Sequence, residues 1–274
     1  MIMPEGPEIK RAADRISKAL AGQEVEKIRF LYPSISKHQK LIFGAKVTSV
    51  NSHAKAMLIN FDNGFTLYSH NQLYGKWTIN MRTTANRSKR SLRVEFLTPK
   101  KAIRLWSATD IELISTDKVK SHPFIKNLGP DVLCDLVDYS VLSDRLQSKD
   151  CRNRMAAHLM LDQKSFAGLG NYLRSEILFF ANINPHLKPR ELDSNSLLKW
   201  AMSIKDISMR AYVNNGITVS KDIEEQGKLN GEPRRYWRHY VFTRNDRPCR
   251  ICSSKIVRLR FGGRRLDYCP TCQD

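Results

Sequence analysis

The chain has 274 residues and a mass of 31.6 kDa, which fits one large or two modest domains and excludes a single small module. Its 46 Lys and Arg against 27 Asp and Glu give a formal charge of +19, which indicates a polyanionic partner such as nucleic acid or an anionic membrane. No apolar run approaches the roughly 18 residues of a membrane-spanning helix, and residues 1–30 lack the apolar core of a signal peptide. Membrane insertion and secretion are therefore not expected.

The first half of the sequence predicts one amphipathic helix followed by short strands. Apolar residues recur at helical spacing over residues 7–20, and Gly22 follows as a stop signal. Asp62-Asn63-Gly64 predicts a hairpin turn between two of the β-prone runs. Those runs cover residues 25–30, 46–50, 55–61, 65–68, 92–96 and 103–106. They predict an antiparallel sandwich or barrel of roughly 115 residues, in which the basic segment 82–91 is a solvated loop.

The second half predicts a helical domain followed by a small cysteine-bearing module. Helical patterns cover residues 154–161, 172–180 and 197–207, with breaks at Gly168-Leu169-Gly170 and Asn184-Pro185. Residues 214–216 and 227–231 mark a polar, flexible stretch before the last module. We therefore expect domains at residues 1–118, 119–236 and 237–274.

Four of the six cysteines form two closely spaced pairs near the end of the chain. The pattern Cys249-x2-Cys252-x16-Cys269-x2-Cys272 is typical of two knuckles that hold one tetrahedral Zn²⁺ through four thiolates. With all four positions taken by protein, this zinc is expected to be structural. Unligated thiols or two disulfides are the alternatives, and the intracellular composition argues against them.

The predicted zinc module is strongly basic. Residues 234–265 contain Asp246 as the single acidic residue against eleven Lys and Arg, interleaved with aromatic residues. The eleven are Arg234, Arg235, Arg238, Arg244, Arg247, Arg250, Lys255, Arg258, Arg260, Arg264 and Arg265. This pattern favours a hairpin that lies on a phosphate backbone over a merely solvated basic face.

Six ordered motifs resemble the formamidopyrimidine-DNA glycosylase and endonuclease VIII family, nearly end to end. They are Met-Pro-Glu-Gly-Pro-Glu-Ile at 3–9, Tyr-Ser-His-Asn-Gln-Leu-Tyr-Gly at 68–75, His-Pro-Phe at 122–124, Gly-Pro-Asp-Val-Leu at 129–133, Gly-Leu-Gly-Asn-Tyr-Leu-Arg at 168–174, and the four cysteines. The resemblance implies an α+β multidomain fold: an antiparallel β-sandwich with an N-terminal helix, a helix-two-turn-helix domain and a zinc finger. It also implies a DNA glycosylase and AP lyase.

The first motif suits covalent chemistry on a sugar. A secondary amine at a chain terminus can attack C1′ of a deoxyribose and form an iminium ion, and Pro4 supplies such an amine only as the first residue. Glu5 beside it can act as general acid and base, and Glu8 lies one turn further on. Without the resemblance, both carboxylates would be read as charges that favour a helix N-terminus.

The resemblance assigns further roles by position. Lys55 resembles the lysine that assists base loss and β-elimination, and Arg264 resembles the finger arginine that holds the phosphate and assists δ-elimination. On sequence alone, a solvated basic residue would be the favoured interpretation of each.

Gln72, Leu73 and Tyr74 resemble the wedge that enters the duplex where the damaged nucleotide flips out, with core packing as the alternative for Leu73 and Tyr74. Asn171 falls at a predicted helix start, where free N–H groups and the helix dipole favour a phosphate, although an ordinary interhelical turn fits the glycines equally well. Glu176 is expected to face the active site.

Two positions depart from the family pattern. Asn127 stands where the family has a DNA-contacting arginine, and neighbouring Lys126 is a candidate replacement. Met1-Ile2 would leave the Pro4 nitrogen in a peptide bond, so we expect translation to start at Met3 and the native protein to begin at Pro4.

The sequence therefore predicts a monomeric, cytoplasmic, nucleoid-associated enzyme that removes oxidised pyrimidines from double-stranded DNA and nicks the strand by β,δ-elimination. The open alternatives are an oxidised-purine glycosylase of the formamidopyrimidine type and a catalytically inactive binder of damaged DNA. A zinc-ribbon transcription or ribosomal protein fits less well, because it needs no Pro-Glu terminus.

Overall fold

The computed structural model describes residues 4–23, 25–85 and 87–274. They form two compact units: one contains Pro4 and Glu8–Lys126, and the other contains Glu5–Pro7 and Asn127–Asp274. The domain boundaries expected after residues 118 and 236 stay predictions. In these described ranges, no helix is both long and apolar enough to cross a bilayer.

The first unit is a β-sandwich with one long helix. Its helices are α1 (Gly6–Leu20) and the short α2 (Pro33–Ser36). Its strands are β1 (Lys27–Phe30), β2 (Val47–His53), β3 (Ala56–Phe61), β4 (Phe65–His70), β5 (Lys76–Met81), β6 (Leu92–Leu97), β7 (Lys101–Trp106) and β8 (Asp110–Ser115). They form two antiparallel sheets, in the orders β1-β6-β7-β5 and β2-β3-β4-β8. The predicted sandwich and its N-terminal helix are confirmed.

The core of this unit lies between the sheets and under α1. Alternate residues of each strand point inward, as Met57, Ile59 and Phe61 of β3 do, and Ile16 and Leu20 of α1 join them. Burial of each such side chain contributes roughly 1.5–3 kcal/mol. The predicted hairpin turn is also confirmed, with Gly64 at φ +82° between β3 and β4.

The second unit is built around one buried helix. Its helices are α3 (Tyr139–Gln147), α4 (Ala156–Leu159), α5 (Asn171–Ala181), α6 (Ser194–Val213), α7 (Lys221–Leu229) and α8 (Arg234–Trp237), and its hairpin is β9 (Val257–Phe261) and β10 (Arg264–Tyr268). Every α5 residue from Tyr172 to Phe179 is buried. The helices predicted over 172–180 and 197–207 are confirmed as α5 and the longer α6, whereas the one predicted over 154–161 is shorter.

Two predictions for the second half need correction. The stretch expected to be flexible contains α7, which begins after Ser220 and carries a Glu224–Lys228 ion pair of 2.6 Å. Helix α3 was not predicted, although Asp138 caps it by accepting a hydrogen bond from the Val141 N–H at 3.0 Å. Both helices carry few buried apolar residues, so hydrophobic periodicity was weak in each.

Candidate active site and zinc centre

The Glu5 carboxylate is bound at the N-terminus of α5. It is 2% exposed, and its Oε1 accepts a hydrogen bond from the Tyr172 N–H at 2.9 Å, while Oε2 accepts one from the Leu173 N–H at 3.3 Å. The first N–H groups of an α-helix are left unused by the helix's own hydrogen bonding, and the helix dipole favours a negative charge at this end. Glu5 therefore has a fixed position beside Pro4 in the chain.

Two glycines before α5 make room for this contact. A Cβ on Gly170 would lie 2.3 Å from the Glu5 Cδ, so only glycine fits there. Gly168 has φ +98°, and its carbonyl accepts a hydrogen bond from the Gly6 N–H at 2.8 Å. The N–H groups expected to bind a phosphate thus bind Glu5, and a phosphate role for Asn171 stays a prediction that depends on its own side chain.

Arg174 connects α5 to the zinc-finger hairpin. Its guanidinium is fully buried and donates to the carbonyls of Arg265 at 2.7 Å, Arg264 at 3.3 Å and Ala157 at 2.9 Å. Burial lowers the pKa of Arg174 to about 10, and the nearby Glu5 carboxylate opposes that shift. Sequence reasoning assigned Arg174 no role, although a cation in a mostly apolar helix was a signal.

The expectation that Glu176 faces the active site is wrong. Its carboxylate is completely buried and accepts hydrogen bonds from the N–H groups of Tyr240, Val241 and Phe242 at 2.8–3.0 Å and from the Thr218 hydroxyl at 2.5 Å. Both oxygens are used to fix the segment that leads into the zinc module. Glu176 is therefore a structural residue of the second unit.

Arg264 lies at the tip of the finger hairpin. Gly262 and Gly263, at φ +54° and +74°, turn the chain from β9 into β10, and Arg264 pairs with Phe261. Its side chain is exposed, whereas its carbonyl is held by Arg174. The structure thus presents a cation on a short, anchored turn.

The four predicted zinc ligands converge. Their sulfur atoms all lie within 4.8 Å of one another, with Cys249 and Cys272 3.9 Å apart and Cys252 and Cys269 3.4 Å apart. A tetrahedral zinc with Zn–S bonds near 2.3 Å needs sulfur separations of about 3.8 Å. The Ile251 N–H also donates to the Cys249 sulfur, a contact that suits a thiolate. The residues fit one structural Zn²⁺, which leaves no open position for water.

The zinc module is held against the C-terminal end of α5. The Asn182 side chain donates to the Cys272 carbonyl at 2.8 Å, and the Gln273 side chain joins the Cys269 N–H to the Ile183 carbonyl. Tyr240 stacks on Phe179 with ring centroids 5.6 Å apart. The finger is thus fixed at both ends of α5.

In the first unit, Lys55 lies in the tight turn between β2 and β3. Ala54 at φ +53° precedes it, and the Lys55 side chain is largely buried. Ala56 of β3 pairs with His70 of β4, and His70 pairs with Asp110 of β8. Burial lowers the pKa of His70, with Lys55 acting in the same direction and Asp110 against it. Lys55 therefore belongs to a charged cluster at one end of this sheet.

The predicted wedge follows β4 directly. Leu73 and Tyr74 are 42% and 62% exposed, which argues against the core-packing alternative. Gln72 has φ +46°; its N–H donates to His70 Nδ1 at 3.1 Å, and its Oε1 accepts from the Thr109 hydroxyl at 3.0 Å. A tight turn closed by the Gly75 N–H on the Asn71 carbonyl at 2.7 Å presents the two apolar side chains.

Comparison with known proteins matches three domain families along the chain. They are the formamidopyrimidine-DNA glycosylase N-terminal domain over residues 3–110, the H2TH domain of the same enzyme over 128–222, and the zinc finger found in FPG and IleRS over 247–274. The Endonuclease 8 of Escherichia coli O17:K52:H18 is 39% identical over 271 residues, which cover 99% of this chain and 100% of that protein. The chain belongs to the formamidopyrimidine-DNA glycosylase and endonuclease 8 family.

Members of this family are DNA glycosylases and AP lyases of base excision repair, and so is this enzyme. The Endonuclease 8 of Shigella sonnei is 38% identical over the same share of both chains. The fold matches that of Lactococcus lactis formamidopyrimidine-DNA glycosylase, solved non-covalently bound to DNA containing an AP site, with a TM-score of 0.80, 24% identity and coverage of 98% of this chain and 99% of that one.

Glu8, Lys126 and Asn127 are the remaining residues that the sequence singled out and the structure describes. Glu8 lies in the first turn of α1 and pairs with Arg11 at 2.9 Å, as a helix-terminal charge would. Lys126 and Asn127 are both exposed, in a short 3-10 turn. Met1, Ile2 and Met3 lie outside the described residues, so the expected start at Met3 stays a prediction.

Proposed function

We propose that this enzyme excises oxidised pyrimidines from double-stranded DNA through an imine on Pro4 and then nicks the strand by β,δ-elimination. The observation that carries the proposal is the fixed Glu5 carboxylate, which adjoins Pro4 in the chain and is held by two α5 N–H groups. Full-length similarity to proteins called Endonuclease 8 supports the pyrimidine branch.

In the proposed reaction, the Pro4 amine attacks C1′, the C1′–N bond to the base breaks, and the electrons of that bond leave with the base. Glu5 supplies a proton to the sugar as its ring opens, and takes one away later. The iminium ion then acts as an electron sink for loss of the 3′ phosphate and next of the 5′ phosphate. Lys55 is assigned to proton transfer in base loss and β-elimination, and Arg264 to the phosphate that leaves in δ-elimination.

The remaining roles concern DNA. Gln72, Leu73 and Tyr74 are assigned to filling the gap left by the flipped nucleotide, which offsets part of the unstacking cost. Asn171 is assigned to a backbone phosphate. Because the substrate is genomic DNA, we place the enzyme in the cytoplasm at the nucleoid, which fluorescence imaging of the tagged protein would test.

Borohydride trapping on abasic-site DNA tests the central step, because only an imine is reduced to a stable crosslink. We compare a protein that begins at Pro4 with one that retains Met1-Ile2-Met3, and expect the first alone to be trapped, since an amide nitrogen cannot attack C1′. Intact mass of the protein from its own host shows which form is native. Efficient trapping of a native form that keeps Met1 would mean that another amine, such as Lys55, is the nucleophile.

Lesion preference is measured separately. Duplexes with thymine glycol, dihydrouracil or 8-oxoguanine are compared at equal enzyme concentration, and the two pyrimidine lesions are expected to react faster. Faster excision of 8-oxoguanine would favour the oxidised-purine alternative. Binding to all three without trapping on any would favour an inactive binder.

A further inference from the structure

The outer face of sheet β1-β6-β7-β5 contains a basic pocket that the chemistry above does not use. The pocket has a volume of about 250 Å³, and beside residues of β5 and β7 it is lined by Thr84, Ala85, Arg87, Ser88 and Arg90. Four of the described residues that line the pocket are cations: Lys76, Arg87, Arg90 and Arg104. The described residues that line it include no carboxylate. Five described residues of the segment expected to be a solvated loop thus form one wall of a pocket.

The strand alternation explains why polar groups meet here. Trp77 and Ile79 of β5 point into the sandwich core, so Lys76 and Thr78 face outward. Thr78 lies opposite Arg104, and its hydroxyl accepts a hydrogen bond from Trp106 Nε1 at 2.8 Å. The pocket floor is therefore fixed by the sheet.

The charge balance favours an anionic occupant. Arg104 pairs with Glu95 at 2.7 Å, and Glu95 also binds Arg29 at 3.0 Å, so two guanidinium groups share one carboxylate and keep a net positive charge. Lys76, Arg87 and Arg90 add three positive charges around the same small volume. Like charges held this close repel one another, and an anion bound between them removes that cost.

The pocket adjoins the wedge. Arg90 Nη1 donates to the Tyr74 carbonyl at 2.6 Å, and Lys76 is two residues beyond Tyr74. Two residues of extended chain span at most about 7 Å. The pocket therefore adjoins the backbone of the turn that carries Leu73 and Tyr74.

We propose that this pocket is a second phosphate site, which binds one phosphate of the duplex backbone next to the base step opened by the wedge. The inference rests on the proposed function for the insertion of Gln72, Leu73 and Tyr74 into DNA. Forcing a duplex open costs deformation energy, and contacts made possible by the deformation offset it. A phosphate held next to the wedge is such a contact.

The test compares two double variants that remove the same charge. Lys76→Ala with Arg87→Ala alters the pocket, and Lys37→Ala with Lys40→Ala removes two exposed lysines elsewhere in the first unit. Affinity for a duplex with an uncleavable abasic-site analogue is measured from about 50 to 200 mM salt. The pocket variant is expected to bind several-fold more weakly, with a log–log salt slope smaller by about 1. Equal slopes in the two double variants would overturn the proposal.

A second measurement identifies the occupant. Uncharged methylphosphonates replace, one at a time, each phosphate within three steps of the analogue. One replacement should weaken binding by the native enzyme but not by the pocket variant. If no position shows this dependence, the pocket does not hold a backbone phosphate, and the proposal fails.

Trapping separates this inference from the proposed function. At saturating enzyme, the pocket variant should form as much crosslink as the native protein, because the altered residues touch no reacting atom. A native protein that is never trapped contradicts the proposed function and leaves both binding tests valid. Loss of trapping in a folded pocket variant at saturation would contradict the binding-only role.

Discussion

Two buried carboxylates accept hydrogen bonds from backbone N–H groups at helix α5, and they have different roles. Glu5 comes from outside the helix and occupies two N–H groups at its start, whereas Glu176 belongs to the helix and binds three N–H groups of residues 240–242. Glu5 adjoins Pro4, while Glu176 meets only structural partners. Burial and backbone hydrogen bonds are common to both carboxylates and therefore do not by themselves show which one takes part in catalysis.

Removal of zinc should have the largest effect, and it should disrupt the backbone contacts of Glu176 while sparing those of Glu5. Structural zinc contributes about 10–16 kcal/mol to the folding of small modules, so chelation or Cys269→Ser should unfold the finger and weaken DNA binding. Amide exchange should then become fast at residues 240–242, which Glu176 holds, and stay slow at Tyr172 and Leu173, which Glu5 holds. Undiminished DNA affinity in the metal-free protein would contradict this prediction.

The isosteric change Glu5→Gln should affect chemistry and spare the fold. It removes the carboxylate proposed as general acid and base, a role worth about 10²–10⁴ in rate, while one side-chain oxygen can still accept from the Tyr172 N–H. Single-turnover excision measures the rate, and thermal unfolding measures the fold. A large loss of stability with normal turnover would show that Glu5 is merely a helix cap.

The corresponding change at the other carboxylate, Glu176→Gln, should lower the stability of the fold and spare the chemistry. One oxygen becomes an amide that cannot accept the backbone N–H groups, and each buried N–H left unpaired costs about 1–3 kcal/mol. We expect a clear fall in the urea midpoint of the second unit, with turnover per folded molecule nearly unchanged at low temperature. Loss of turnover in a fully folded variant would restore a catalytic role for Glu176.

Gly170→Ala tests whether the position of Glu5, rather than its presence, matters. The added methyl would lie 2.3 Å from the Glu5 Cδ, so the carboxylate must move, at a cost of about 1–3 kcal/mol in stability. Because catalysis depends on placement, excision should fall while Tyr172 and Leu173 lose protection in amide exchange. Gly170 has φ −144°, where alanine carries no left-handed strain, so the effect of the added methyl comes from its contact with Glu5.

The smallest expected effect is a pH dependence of folding stability that comes from His239, a neighbour of the Glu176 hydrogen-bond network. His239 Nδ1 lies 3.1 Å from the Thr218 hydroxyl, which in turn binds Glu176, and burial holds the pKa of His239 well below its ordinary value, assisted by Arg238, Arg234 and Arg265. The unfolded chain therefore takes up a proton below pH about 6.5 and the folded one does not, so stability falls with acidification, by about 1.4 kcal/mol per pH unit at most.

Above that pH both states are neutral at His239, and no dependence is expected from it. His239→Asn keeps a polar group near Thr218 and removes the titration, while Glu176 is common to both proteins. The native protein should lose stability more steeply than this variant between pH 6.5 and 5, in the range set by the ordinary histidine pKa. Parallel stability curves would mean that His239 is protonated in the folded state.

The sandwich could be predicted because most of its strands carry a local hydrophobic pattern. Strands β5 and β8 were missed although, unlike the missed helices, they carry such a pattern. Trp77 and Ile79 of β5, and Ile111 and Leu113 of β8, alternate with polar residues, which is a usable strand signal. The cysteines were predictable from spacing alone. Helix α7 was not, because only Gly227 is buried along it.

Contacts between residues far apart in the sequence limited how much of the candidate site could be predicted. The principle that a helix N-terminus binds an anion was correct for α5, but the anion is Glu5, 167 residues away from Tyr172, and no local pattern encodes that pairing. Glu176 was misassigned for the same reason, since its partners at 240–242 are defined only by the fold. The glycines at 168 and 170 indicated a close approach without revealing what approached.

Arg174 binds the finger hairpin through main-chain oxygens of residues 264 and 265, not through their side chains. Substitutions at the hairpin tip can therefore accumulate without releasing the hairpin from the helix. For protein engineering, this makes the tip a place where libraries of side chains can be displayed at a constant position. Selection could then change which DNA ends or flanking groups are tolerated, while α5 and its carboxylates remain as they are.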